Sequence, residues 1–239
     1  MRLTVIGCSP AWPNPAGTHA GYLVEGPGRL LLDCGPGVLA SLRTRERWPT
    51  IDAIVLSHLH LDHWGDLVAW AFGAKVGPGA GTQAPELVLP PGGREEIRRY
   101  ADDLAGDSDL FETVFAVREY PGGAPFEAAG FQLSAHRVTH YGLDAFALRV
   151  SDGERVLAYS GDTCPCSGLI AAARDADLLL CEATLPDSGE GAVRGHLTLA
   201  EAQAAAAQAG ARQLLVTHRP VELGGEGAEL ASDGLVVEL

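Results

Sequence analysis

Apolar residues along this chain gather in short, strand-length runs, and many of those runs stop at a histidine, an aspartate or a glycine. The opening RLTVIG alternates as a half-buried strand does, and CSPAWPNPAGTHAG after it is a loop rich in Pro and Gly. YLVEGPGRLLLDCG reads as a hairpin turning over Glu25–Arg29. Helical character over Val38–Arg47 ends at Trp48-Pro49. The almost uniformly apolar IDAIVLS is expected to be a strand buried on both faces. Trp64–Lys75 is predicted helical, the Gly- and Pro-rich stretch 76–93 carries a short strand, ELVL, and Arg94–Leu104 is a helix with an exposed Arg/Glu face.

Further strands are predicted at Thr113–Tyr120, Phe131–Val138, Ala145–Val150, Val156–Ser160, Asp177–Cys181 and Gln213–Thr217, and the tail GLVVEL returns to strand. TLAEAQAAAAQAG is the clearest helix: Thr198 and Glu201 form a T-x-x-E capping box, alanines fill the middle, and Gly210 supplies the stop. No repeat of fixed period and no long linker divides the chain. The pattern therefore predicts one α/β domain over residues 1–239, with sheets covered by helices.

Composition narrows the function. A chain of 239 residues with 46% hydrophobic residues can bury a substantial core. No apolar run approaches the ~18 residues of a membrane span, and the first residues enter a strand instead of a signal-peptide h-region. A cytoplasmic protein with no membrane partner is expected. Five cysteines without paired zinc-ribbon spacing are expected to be reduced thiols. The net charge of −14 opposes nucleic-acid phosphates, and Arg43, Arg45 and Arg47 around Glu46 read as a solvated helix end. tRNA or long nucleic acid is thus disfavoured as a partner.

One stretch carries chemistry: SHLHLDHWGD, Ser57–Asp66. His58 and His60 are separated by one residue, so on an extended backbone leaving a strand they point to the same side. Asp62 and His63 are adjacent and must diverge, so they serve a neighbouring position. Buried imidazoles and carboxylates without partners cost several kcal/mol each, of order 2–7. Two metal ions sharing the loop would satisfy all four side chains.

This H-x-H-x-D-H resembles the signature of the metallo-β-lactamase superfamily, whose fold is a four-layer αββα sandwich. Three later strand ends, HRVTHYG, AYSGDT and LLVTHRP, offer His140, Asp162 and His218 in the family's order. The resemblance implies that His58, His60 and His140 hold one divalent metal, that Asp62, His63 and His218 hold a second, and that Asp162 bridges them. Two metals about 3.5–4 Å apart can carry a bridging hydroxide as nucleophile and stabilise the leaving oxygen. Zinc, manganese and iron all suit histidine and carboxylate ligands, with zinc the first expectation.

The segment Ala158–Pro220 looks most like the ribonuclease Z-like branch. That likeness makes His196 a catalytic candidate, as proton donor to the leaving oxygen, and Asp62 is the second catalytic candidate besides its ligand role. Glu182 is open to two readings, a carboxylate that orients a site histidine or a surface cap. Asp66 either accepts a hydrogen bond from a ligand histidine or favours the first turn of its helix. His136, four residues before His140, lies on the same strand face and competes for the ligand role; the strand-end position favours His140. His19 is expected in a solvent-facing loop, and Gly7 and Gly35 as turn residues.

The tRNA-processing members of the branch carry an arm between the third and fourth ligand motifs. Only twenty-one residues separate His140 from Asp162 here, room for two strands and a turn, so the arm is absent. RPVELGG after His218 also departs from the branch's usual continuation. A small-molecule phosphodiester such as a cyclic nucleotide is therefore the expected substrate, and the enzyme a metal-dependent phosphodiesterase. An acyl hydrolase of lactones, thioesters or β-lactams is the alternative. The loop Gly77–Gly93 is open to reading as a substrate lid or as the interface of a homodimer.

Overall fold

In the computed structural model, which describes all residues except 188–190, 192 and 226, the apolar runs become two sheets. The first half supplies β1 (Arg2–Gly7), β2 (Gly21–Glu25), β3 (Arg29–Leu32), α1 (Val38–Arg43), β4 (Ala53–Val55), α2 (Leu61–Trp64), α3 (Asp66–Val76), β5 (Glu86–Leu89), α4 (Gly93–Ala105) and β6 (Ala116–Glu119). The second half supplies β7 (Phe126–Ala128), β8 (Phe131–His140), β9 (Leu143–Ser151), β10 (Val156–Tyr159), α5 (Ser167–Ala173), β11 (Leu178–Glu182), α6 (Leu199–Ala209), β12 (Leu214–Thr217) and β13 (Val236–Glu238). One sheet runs β13-β1-β2-β3-β4-β5-β6 and the other β12-β11-β10-β9-β8-β7. No described helix is long and apolar enough to cross a membrane.

Three apolar clusters make the layers. Between the sheets, Leu3, Val5, Tyr22, Leu30 and Val55 of one meet Phe131, Leu148, Leu157 and Leu180 of the other. The outer face of the first sheet packs Ile54, Leu87 and Leu89 against Leu39, Trp70 and Ile97 of α1, α3 and α4. The outer face of the second packs Leu179 and Val216 against Leu169 of α5 and Ala202 and Ala206 of α6. The architecture is the four-layer αββα sandwich. Each central strand is apolar on both faces because both faces are covered, which is why IDAIVLS lacks alternation.

Direction of pairing positions the site. β3, β4, β5 and β6 run parallel, as do β10, β11 and β12. The ends of β3, β4, β10, β11 and β12, with that of β8, meet at one rim, where their exit loops carry the polar residues. Hydrogen bonds between the sheets fix their alignment there: Tyr159 Oη donates to Asp33 Oδ2 at 2.7 Å, Phe146 N–H to Ser57 O at 3.1 Å, and Tyr22 Oη lies 2.7 Å from Thr217 Oγ1.

Some boundaries depart from the sequence reading. The helix expected over Val38–Arg47 ends at Arg43, and the one expected over Trp64–Lys75 is split into α2 and α3 at Gly65. The strand expected from Thr113 starts at Ala116, because Thr113 to Phe115 turn over hydrogen bonds to Asp109 and Phe111 carbonyls. β7 and α5 have no counterpart in the expectations. β7 has three residues and joins β8 through Ala129-Gly130, both at positive φ, where only Gly130 is a recognisable signal. α5 lacks a side-chain cap and is held by packing of Leu169, Ala172 and Ala173. Gly7 and Gly35 do more than turn the chain: a Cβ at Gly35 would lie 1.9 Å from Asp62 O, and one at Gly7 2.1 Å from His19 O.

The capping box of α6 is complete, with Glu201 N–H donating to Thr198 Oγ1 at 3.3 Å and Thr198 N–H to Glu201 Oε2 at 2.9 Å. Thr198→Ala is expected to cost about 1 kcal/mol. In urea melts the midpoint should fall with an unchanged slope; an unchanged midpoint would show that packing alone sets this helix.

Candidate metal centre

The loop leaving β4 brings the first ligand-type side chains to the rim, and the other strand ends complete two groups. His58, His60, His140 and Asp162 place one nitrogen or oxygen each within 4.8 Å of one another. Asp62, His63, Asp162 and His218 do the same. Asp162 belongs to both, as a bridging carboxylate must. Its Oδ2 lies 3.8 Å from His58 Nε2, 3.8 Å from His140 Nε2 and 3.3 Å from His63 Nε2, while Oδ1 lies 3.7 Å from His218 Nδ1. Asp62 Oδ2 stands 3.1 Å from His218 Nε2 and 3.4 Å from His63 Nε2. All are buried except His60, which is partly open.

Hydrogen bonds at the back of each ring set its tautomer. Asp33 and the Gly195 carbonyl can only accept, so His63 Nδ1 donates to Asp33 Oδ2 at 2.7 Å and His140 Nδ1 to Gly195 O at 2.8 Å. His58 Nδ1 rests 3.0 Å from Ser57 Oγ, whose own proton goes to Asp33 Oδ2 at 2.8 Å. His58 and His140 thus turn unprotonated Nε2 atoms toward the cluster, and His63 also points its Nε2 there. This is how carboxylate and carbonyl partners prepare imidazoles for metals.

Three buried atoms, His58 Nε2, His63 Nε2 and Asp162 Oδ1, have no hydrogen-bond partner. Leaving a buried polar group unpaired costs about 1–3 kcal/mol. The unpaired atoms belong to both groups, and the donor set is the imidazole and carboxylate mixture that divalent zinc, manganese or iron accepts. The residues fit two ions.

The electrostatics agree. Against the opposing effect of burial, His218 and His63 hold Asp162 well below the usual carboxylate range, and His63 and His218 do the same for Asp62. Burial, followed by the charge of His63, pushes His58 far below an ordinary imidazole, and burial lowers His60 and His140. His63 is raised instead, since Asp162, Asp33 and Asp62 outweigh its burial.

The remaining candidates are placed as follows. His196 Nδ1 lies 2.9 Å from Glu182 Oε1 and 4.0 Å from Asp162 Oδ2. Glu182 is fully buried and also accepts from Thr163 N–H at 2.8 Å, Thr184 N–H at 3.1 Å and Thr184 Oγ1 at 2.8 Å, so it is neither a surface cap nor an open ligand. Asp66 does not reach a cluster histidine: its Oδ2 accepts the Leu39 N–H of α1 at 2.7 Å while it opens α3. His136 lies 3.0 Å from Ser134 Oγ, apart from both groups. His19 Nδ1 lies 2.9 Å from Pro10 O, and its ring is half-buried instead of solvent-facing.

Sequence reasoning passed over Asp33. Its signal was available, because it ends the apolar run RLLLD as the other site residues end theirs. It sits at φ 58°, a conformation that aspartate tolerates better than most residues. His218, at φ 50°, and Tyr141, at φ 45°, share that rare conformation at the same rim.

A double histidine and aspartate cluster at the rim of an αββα sandwich defines a metallo-hydrolase. The family model of the beta-lactamase superfamily domain matches residues 28–219, and the chain belongs to that superfamily. It is 34% identical to protein Rv1339 of Mycobacterium tuberculosis over 223 residues, covering 92% of this chain and 81% of the relative. The probable metallo-hydrolase YhfI of Bacillus subtilis is 33% identical over 221 residues, 92% of this chain and 87% of the relative. Its crystal structure superposes with a TM-score of 0.85 and 28% identity, covering 99% of both chains. Ribonuclease Z of Myxococcus xanthus is 29% identical over 270 positions, covering 91% of this chain and 86% of the relative.

Asp33 supports His63, Ser57 and, through Ser57, His58. Asp33→Asn should weaken metal binding about 10–100-fold, the usual effect of losing such a partner. Metal content after dialysis against graded chelator measures this, and retention equal to the parent protein would remove Asp33 from the site's support.

Proposed function

We propose that the protein is a dinuclear metal-dependent phosphodiesterase acting on a small phosphodiester such as a cyclic nucleotide. The observation that carries this reading is the His196–Glu182 pair beside Asp162. Alkoxide leaving groups of phosphodiesters need a proton, and a histidine held at Nδ1 by a buried carboxylate would supply one from Nε2. When bound, the metals would activate water and neutralise charge on the phosphoryl oxygens. His58, His60 and His140 would hold one ion, Asp62, His63 and His218 the other, with Asp162 shared. The chain's own contributions are orientation and proton transfer: Glu182 fixes His196, and Asp33 and Gly195 fix the ligand rings.

The small substrate is supported by the connection between His140 and Asp162. It contains only β9, β10 and two tight turns, Tyr141-Gly142 and Asp152–Arg155. The ribonuclease Z alignment runs over 270 positions while using 91% of this chain, so that relative carries residues this chain lacks. With the net charge of −14, a tRNA substrate is disfavoured.

Purified, manganese- or zinc-loaded protein should hydrolyse bis(p-nitrophenyl) phosphate, with turnover lost in Asp162→Ala. Two bound metals without turnover would overturn the reading and direct attention to lactones and thioesters. His196→Ala should lower kcat about 10²–10⁴-fold on a cyclic nucleotide, and far less on p-nitrophenyl esters, whose leaving group needs little protonation. Equal losses on both would remove the acid role from His196.

A further inference from the structure

A cleft of about 540 Å³ opens beside His60, between the start of α4 and the β8–β9 turn. Leu59, Pro90, Pro91 and Leu143 form its apolar walls, and Tyr100 and Glu96 of α4 face it together with Gly92 and Gly93. The end of the Gly77–Gly93 loop therefore borders the metal centre, whereas a Cβ at Gly79, near the loop's start, would strike the ring of Trp48 on the far side.

The cleft wall is built onto the metal loop. Trp64 follows His63, donates from Nε1 to Leu59 O at 3.1 Å, and stacks on Tyr100 with ring centroids 5.2 Å apart. Tyr100 Oη donates in turn to Glu96 Oε1 at 3.1 Å, which fixes the carboxylate on the wall. Among the described residues, no lysine or arginine lines the cleft. Asp144, the other acidic lining residue, pairs with Arg137. Glu96 Oε1 also pairs with Arg99 at 3.9 Å, and that arginine is two-thirds exposed.

We infer that this cleft is a subsite for the uncharged part of the substrate: a ring of nucleoside size carrying hydroxyl or amino donors, with Glu96 as the residue that selects for those donors. This rests on the phosphodiesterase reading and adds to it. A carboxylate in a cleft lined by no described lysine or arginine accepts hydrogen bonds and repels a second phosphate, so the subsite favours a cyclic mononucleotide over a linear dinucleotide. Its volume falls within the range of small-ligand pockets. The metals take the single phosphodiester, and the cleft takes what hangs from it.

The test separates binding from chemistry. Adenosine, which carries no phosphate, should bind the metal-loaded protein in isothermal titration calorimetry, and Glu96→Ala should weaken that binding about tenfold, the loss of roughly 1.4 kcal/mol of charge-assisted hydrogen bonding. Glu96→Gln, which keeps an accepting oxygen, should recover part of the loss. In turnover, the ratio of kcat/KM for adenosine 3′,5′-cyclic monophosphate to that for bis(p-nitrophenyl) phosphate should fall by a similar factor in Glu96→Ala. Adenosine that does not bind the parent protein, or binds the alanine variant equally well, overturns the subsite. Failure of the phosphodiesterase reading shows itself separately, as absent turnover of both esters by protein that still binds adenosine.

Discussion

The buried carboxylate of Asp33 is the constraint on which the rest of this structure depends. It accepts hydrogen bonds from Ser57 N–H and Oγ, from Tyr159 Oη and from His63 Nδ1, all between 2.7 and 2.8 Å. Those donors come from the loop after β4 and from β10 of the opposite sheet. One side chain therefore registers the two sheets against each other and orients the metal loop. A buried carboxylate is costly unless its lone pairs are filled, so the same bonds that position the loop make the burial tolerable.

From that anchor the site follows by topology. Parallel runs β3 to β6 and β10 to β12 send their exits to the same rim, and the loops there carry short polar side chains. Asp162 after β10 and His218 after β12 can meet the histidines after β4 only because the inner faces of both sheets pack without intervening layers. The backs of the His63 and His140 rings are held by groups that only accept, so the fold itself decides which of their nitrogens faces the cluster.

The two sides of the centre differ in chemistry. Toward His196 lies a hydrogen-bonded carboxylate and histidine pair. Toward His60 lies a cleft with no lysine or arginine among its described lining residues, walled by apolar residues, Tyr100 and the carboxylates of Glu96 and Asp144. An acidic surface and an acidic cleft both disfavour polyanions, while two ions at the centre would attract a single phosphodiester. Selectivity on this account comes from confining positive charge to one point.

Much of this was legible along the chain. Most strands, the capped α6 and the sheets covered by helices follow from local patterns of period two and 3.6, which need no knowledge of distant residues. The ligand-type residues were visible because each interrupts an apolar run at its end. β7 and α5 were not visible, since each is too short to carry a period and is held by its neighbours. Asp33 was visible as the end of RLLLD, but its role was not, because its partners come from β10 and the metal loop, far away along the chain. The choice of His140 over His136, the bond from Asp66 to α1 and the union of Glu96, Tyr100 and Trp64 beside His60 likewise depend on which strand ends and helices are brought together. Sequence by itself determined which residue types end each element and hence the class of chemistry; only the tertiary structure decided which of them share a site, because contacts between residues far apart in the chain exist only after the two sheets have closed.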